Sequence, residues 1–304
     1  MSPPPPDSTP NPFLISGPNL TENAIVGPSA QSIECATLDN KDIRDKAVRL
    51  SLLKNIGFKK AKLQDCKIQH SFIENCYFRE TEFTNVSLVG SRFTNCNFDK
   101  ASFSDCSLDY AEFFNCSITY EQVQSCLDRL NEKPNVLRDL ARSLRLNAQQ
   151  RGQMDDSRKF LMAELKASAT HCWLKASAWN HSFYGKKYRL EDRISGGFKW
   201  LMLKIEDVIW GYGEMPTRVF RAAGIVIVIF MLMFNFGIIR VINMPDPNMF
   251  DYLGISAATF AGAPYGIVLP ADRSARLLMT VETYLGLISF GLLVATFYRR
   301  ISKR

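Results

Sequence analysis

Few side chains in this 304-residue chain have types and spacings that could do chemistry. Eight are cysteines, and Cys96, Cys106 and Cys116 recur every ten positions. Thiolates hold zinc, yet structural zinc sites draw on C-x2-C pairs, and none is present. Disulfide frameworks belong to exported chains, and MSPPPPDSTP lacks the basic and apolar regions of a cleavable signal peptide. His70, His171 and His181 are isolated, so no metal site is expected. Glu282 is the one acid in the apolar run Leu277–Tyr298. An ionisable group in such a run is a functional candidate by default. No phosphate loop, metal spacing or nucleophile motif appears, so neither catalytic residues nor a cofactor are expected, and the chain is not expected to be an enzyme.

The cysteines belong to a longer pattern. Large apolar residues stand at Leu53, Phe58, Leu63, Ile68, Ile73, Phe78, Phe83, Leu88, Phe93, Phe98, Phe103, Leu108, Phe113 and Ile118, fourteen units at a spacing of five. Two positions before each stands a small or medium residue, from Ser51 through Cys66, Cys76, Val86, Cys96 and Cys106 to Cys116. Five is neither the strand period of 2 nor the helix period of 3.6. A fixed repeat defines the architecture, and this one wants a coil with four flat sides, each of five residues. The large residue fills the axis. The residue two before it shares its face and must be small, which suits cysteine, a soft hydrophobe that is often buried. Cys76, Cys96 and Cys116 then form one column and Cys66, Val86 and Cys106 the opposite one, with coils about 4.8 Å apart. Valine within the series supports packing as the reason for the thiols.

These residues resemble the pentapeptide-repeat family, whose fold is a right-handed quadrilateral β-helix. Some members of that family mimic DNA, which needs an acidic face. Ser51–Tyr120 carries six Lys and two Arg against four Asp and four Glu, so that role has no support and no nucleic-acid partner is expected. The whole chain is +7, a balance that suits anionic lipid.

Around the coil of residues 36–120 the composition changes. Residues 1–35 read as a disordered Pro-rich tail. Tyr120–Leu130, Val136–Leu146 and Asp155–Lys166 have helical apolar spacings, with Pro134 and Gly152 as breaks and Asp155 or Asp156 as an N-cap. They predict a helical hairpin within a linker over 121–217. Phe198–Trp210 is amphipathic and bounded by tryptophans, and Lys186–Arg221 holds eight Lys/Arg and five Asp/Glu. That combination suits a helix at a membrane surface, the alternative being packing against the hairpin.

Ala222–Ile239 is eighteen residues without a charge, and Leu277–Tyr298 is twenty-two with one. Each is long enough to cross a hydrocarbon core of about 30 Å, giving expected spans at 222–242 and 276–298. Arg218 and Arg221 precede the first, and Arg299, Arg300, Lys303 and Arg304 follow the second. The positive-inside rule then makes both termini cytoplasmic, although Arg240, Arg273 and Arg276 reduce the asymmetry. Between the spans, Phe250–Phe260 is apolar but too short to cross. Backbone leaving a helix at membrane depth must be buried in protein or line water. A span, a half-length helix, a glycine-containing loop and a second span are what a pore needs.

This arrangement resembles the two-transmembrane potassium-channel pore family. An ungapped match places Ser256 and Thr259 in a pore helix and Gly262-Ala263-Pro264-Tyr265-Gly266 on the selectivity filter. It sets Pro270 and Arg276 on family positions and Gly286 at the inner-helix hinge. The run GLISFGLL and the stretch Trp210–Pro216 also resemble bacterial proteins that join pentapeptide repeats to an ion-channel pore. The chain departs from the pattern where the first filter glycine is Pro264, the filter threonine is Gly262 and the following acid is Ile267. A carbonyl-ring filter needs positive φ at that glycine, whereas proline is fixed near φ −65°. The resemblance assigns Glu282 to the outer part of the second span, within reach of Ser256 or Thr259, either as pore support or as an ion or pH sensor.

The expected fold class is therefore a multi-domain membrane protein: a right-handed quadrilateral β-helix, a helical linker, and a two-span α-helical pore module over 218–304 with its pore helix and filter-like loop at 250–270. The expected function is a homotetrameric inner-membrane channel for potassium-like monovalent cations, in a bacterium, contacting membrane lipid. Its cytoplasmic coil would serve gating, assembly or docking. The alternative is a non-conducting membrane-anchored scaffold whose coil binds a cytoplasmic protein partner.

Overall fold

In the computed structural model, every fifth residue from Leu38 to Ile118 is buried, none more than 7% exposed. Residues 32–177, 188–213, 215–236, 241–242, 248–263, 269–270 and 273–302 are described. They fall into two units, one ending at Gly197 and one beginning at Phe198.

The first unit opens with the four-sided coil. One side stacks Ser32–Thr37, Leu52–Gly57, Phe72–Glu74, Arg92–Thr94 and Glu112–Phe114 in parallel, with Leu53, Ile73, Phe93 and Phe113 in register. A second stacks Asp42–Arg44, Lys62–Gln64, Glu82–Thr84 and Ser102–Ser104. The third runs through Val48 and Ile68 to bridges between Lys67, Ser87 and Ser107. The fourth is a line of bridges from Gly57 through Tyr77 and Asn97 to Ser117. Partners are always twenty residues apart, so the chain makes a β-solenoid of roughly four turns. Phenylalanine rings stack along it, Phe58 on Phe78 at 4.9 Å and Phe83 on Phe103 at 4.7 Å, close to the spacing of paired strands.

The coil begins earlier than expected. Ser32–Thr37 pairs with Leu52–Gly57, so residues 32–35 belong to it and not to the tail, and Leu38, Ile43 and Val48 extend the buried series. The first turn hides in the sequence because Lys41 and Lys46 occupy the positions that are small elsewhere; both are half-buried. The corners supply a second signal. The backbone takes positive φ at Asn40, Asp45, Asn55, Asp65, Asn75, Asn85, Asn95, Asp105 and Asn115, and Asn and Asp are the non-glycine residues that best tolerate this region. The tail through residue 31 lies outside the described residues.

Among the described residues three α-helices come next: α1 (Tyr120–Arg129), α2 (Pro134–Gln150) and α3 (Met154–Ser177). Pro134 starts α2 instead of merely separating helices, since its fixed φ suits a first helical turn. Asp155 and Asp156 lie inside the first turn of α3 and not at its cap; there they complement the helix dipole, and Asp156 also accepts from the Tyr120 N–H at 3.1 Å.

The last coil would expose an unpaired strand edge. α1 and α2 cover it. Gln122 Nε2 donates to the Phe98 and Ala101 carbonyls at 2.7 and 2.9 Å. The buried Asn147 accepts from Cys116 N–H at 2.7 Å and donates to its carbonyl at 2.8 Å. One amide side chain thus stands in for the backbone of a further coil.

α4 (Leu190–Trp210) carries the boundary between the units and starts eight residues before the expected Phe198. The second unit continues with α5 (Pro216–Asn235), α6 (Met249–Phe260) and α7 (Arg273–Ser302). α5 begins at Pro216, so Arg218 and Arg221 lie within the helix and not ahead of it. The expected span 222–242 also runs too far, because Val241–Ile242 pairs antiparallel with Leu269–Pro270. α7 outlasts the expected 276–298 at both ends. Two of the described helices, α5 and α7, are long and apolar enough to cross a membrane.

Candidate functional site

Two sets of sequence-selected residues can be followed into the structure. The repeat cysteines Cys66, Cys76, Cys96, Cys106 and Cys116 are buried as expected, whereas Cys35 in the first strand is exposed. Cys76, Cys96 and Cys116 each direct Sγ toward a carbonyl of the coil below, that of Leu53, Ile73 and Phe93, at 3.4 to 3.5 Å. Cys66 and Cys106 do the same toward Ile43 and Phe83. Burial pushes the Cys96 and Cys116 thiols well above the usual range and Cys106 to about 11. A thiol that stays protonated is a poor nucleophile and a poor metal ligand. Among the described residues no cluster of His, Cys, Asp and Glu could hold a metal ion. His181 lies outside the described residues.

The second set meets where α5, α6 and α7 pack. Phe230 and Phe234 of α5, Ile255 of α6 and Ala275 of α7 form a small core, with Val226, Tyr252, Leu278, Met279 and Leu285 against it. α6 covers the short apolar stretch Phe250–Phe260 that was expected to be a half-length helix. Asn248 caps it, accepting from the Phe250 and Asp251 N–H groups at 2.9 and 3.0 Å, while Asp251 accepts from Asn248 N–H at 2.9 Å. Asn248 and Asp251 thus form a reciprocal capping box.

Ser256 and Glu282 are both fully buried, and their side chains bond to each other. The Ser256 Oγ also lies 2.9 Å from the Ile227 carbonyl of α5. A hydroxyl has one hydrogen. Ser256 therefore has two acceptors within reach of its one hydrogen, the Ile227 carbonyl and the Glu282 carboxyl. A single chain then ties α7 to α6 to α5. Thr283 Oγ1 adds a contact to the Thr259 carbonyl at 3.1 Å. Thr259 does not join through its own hydroxyl: Thr259 Oγ1 and Glu282 Oε2 are buried without a partner among the described residues.

At the far end of α6, Gly262 takes φ +72°. Its N–H donates to the Thr259 carbonyl at 3.0 Å and that of Ala263 to Ala258 at 2.9 Å, a helix-ending pattern that favours glycine. Gly262 and Ala263 thus finish the helix, while Pro264, Tyr265 and Gly266 lie outside the described residues. Gly286 sits where α7 crosses the end of α6, and a β-carbon there would be 1.8 Å from the Phe260 carbonyl oxygen. Close approach is a reason for this glycine that sequence alone did not supply.

A family model of nine pentapeptide repeats matches residues 58–102, and one of eight pentapeptide repeats matches residues 87–119. The chain therefore carries pentapeptide repeats folded as a β-solenoid. Among solved structures, trypsin-treated QnrB1, a plasmid-mediated fluoroquinolone resistance protein, is 16% identical over 34% of this chain and 58% of its own, with a TM-score of 0.26. A pentapeptide repeat protein of the Arabidopsis thaliana thylakoid lumen is 16% identical over 38% of this chain and 83% of its own, at 0.15. Rfr23 of the cyanobacterium Cyanothece 51142 is 16% identical over 27% and 60%, at 0.14. The match thus spans 58% of the trypsin-treated QnrB1 chain. No curated protein matches the chain.

Proposed function

We propose that this chain is one subunit of a homotetrameric, monovalent-cation channel of a bacterial inner membrane. α5 and α7 cross the bilayer, α6 is the pore helix, and the loop after it carries the ion path. One chain supplies two spans and one half-length helix, so four must surround an axis. The coil and its helical cap form a cytoplasmic module for gating, assembly or docking. The observation that carries this reading is the buried Glu282–Ser256–Ile227 chain, which fixes a helix too short to span between two long enough to do so. Polar groups placed inside a bilayer need such internal partners.

Substituting Gly266→Val in protein reconstituted into liposomes tests it. Cation flux should disappear while the oligomer remains, and unchanged flux removes Tyr265-Gly266 from the path. The scaffold reading keeps one specific support, Pro264 at a position where a carbonyl filter needs positive φ. Deleting Phe250–Pro270 separates the two readings: a channel loses its cellular role and an anchor keeps it.

A further inference from the structure

We propose that α4 is an interfacial helix whose exposed apolar stripe rests on lipid. Leu190, Ile194, Phe198, Leu201, Met202, Ile205 and Val208 are all exposed, between 41% and 74%. Their steps of three and four place them on one helix face. The opposite face is already covered in the first unit: Gly196 is buried against α3, where a β-carbon would lie 3.3 Å from the Cys172 carbonyl oxygen. Lys175 of α3 holds Asp192 at 3.3 Å. At 100° per residue, Lys199 and Lys204 fall on the two borders of the stripe, and both are exposed. That is where basic side chains reach from an apolar surface to water. Trp200 and Trp210 fall on the far side and are half-buried, so the stripe and its borders mark the surface, not the tryptophans.

Lipid is the occupant because of what the stripe runs into. Its last residue, Val208, lies eight positions before Pro216, the start of α5. The turn between them is tight, with φ +57° at Gly211 and +58° at Tyr212. Asp207, beside Val208, accepts through its carboxylate and its carbonyl from Arg218 in the first turn of α5. The end of the stripe is thereby pinned to the end of a helix apolar enough to enter a bilayer. α4 itself is not among the candidate spans, since Lys199, Lys204, Glu206 and Asp207 interrupt it. An amphipathic helix joined end to end with a span fits the interface plane. The proposal rests on the reading of α5 as a span.

The test uses full-length protein in vesicles of phosphatidylethanolamine and phosphatidylglycerol. Cys35 is the one exposed native thiol among the described residues, so Cys35→Ser provides the background. Nitroxide labels go on single substitutions Phe198→Cys, Leu201→Cys, Ile205→Cys and Val208→Cys on the stripe. Lys199→Cys, Lys204→Cys and Glu206→Cys lie off it, and Ile225→Cys and Val228→Cys are placed on α5. Collisions with oxygen, which concentrates in lipid, and with a water-soluble nickel chelate are compared at each site. The expected result is oxygen exceeding chelate along the stripe and on α5, with the order reversed at Lys199, Lys204 and Glu206. If α5 favours oxygen but the stripe favours chelate, water covers it and the proposal fails. If the stripe is shielded from both, protein covers it, a second copy included, and the proposal again fails while the span stands. If α5 itself lacks oxygen contact, the span reading fails and takes this proposal with it.

Discussion

The coil and the helical unit both bury apolar side chains but differ in what they expose. The coil keeps a continuous column of Phe, Leu, Ile and Cys on its axis. Outside it presents ion pairs between neighbouring turns, such as Arg92–Glu112 and Lys62–Glu82. The helical unit has a four-residue buried core, buries Ser256, Thr259 and Glu282, and exposes Leu287, Ile288 and Phe290 at 57% or more. A water-soluble fold has the first distribution. The second suits a solvent in which apolar side chains cost nothing to expose and polar groups need internal partners. That contrast is what the proposed placement of α5 and α7 in a bilayer would produce.

The largest effects should come from residues that set each interior. Phe98 is fully buried, stacked 5.0 Å from Phe78 and near Phe93, Phe103 and Phe113. Phe98→Ala should destabilise the coil by about 3–5 kcal/mol, read as faster hydrogen exchange in peptides covering the coil. Phe290→Ala, at an exposed site, should leave exchange in its own unit nearly unchanged. Equal losses at the two sites would erase the contrast between the interiors.

Glycine positions sharpen it next. Gly286→Ala pushes a methyl into the Phe260 carbonyl and should separate α7 from α6, with loss of the assembled oligomer on size-exclusion chromatography. Gly291 has nothing within 4 Å of a β-carbon, so Gly291→Ala should be tolerated and gain up to about 1 kcal/mol of helix propensity.

Smaller losses should follow from single polar links. Asn147→Ala leaves the Cys116 N–H unpaired and its carbonyl with the Ile118 N–H alone, and should cost about 1–3 kcal/mol, visible as exchange confined to the last turn of the coil. Glu282→Gln keeps one donor and one acceptor and should preserve thermal stability in detergent, whereas Glu282→Leu should lower it by about the same 1–3 kcal/mol. If the glutamine variant fails as badly as the leucine variant, the polar link through Ser256 is wrong.

The smallest effect is a pH dependence. The Cys106 thiol is raised by burial to about 11 from an ordinary 9.0. The unfolded thiol loses its proton first as pH rises, so the coil should weaken between about pH 9 and 11. Cys106→Val should reduce that slope in alkaline exchange measurements without abolishing it, because burial also raises the Cys96 and Cys116 thiols.

How much of this was legible varied with how local the cause was. Period five announced the coil because each unit obeys the same constraint. The first turn escaped because Lys41 and Lys46 break the small-residue pattern, though Asn40 and Asp45 mark its corners. Glu282 was legible from its chemistry, since a carboxyl in an apolar run needs a partner, whereas Ser256 and Thr259 were picked out by the resemblance to a pore helix. Their partners were not: the Ile227 carbonyl and Thr283 are met only through packing. Asn147 was invisible for the same reason, because its role depends on a coil end 31 residues away in sequence.

Cation flux through the purified, reconstituted chain tests the central claim most directly. Liposomes loaded with K⁺ or Na⁺ and an impermeant control report whether the helical unit encloses a path. The account predicts monovalent-cation flux that the impermeant ion does not share. No flux under voltage, pH or membrane tension, from protein shown to be inserted and oligomeric, would contradict it and leave the helical unit as an anchor for the coil.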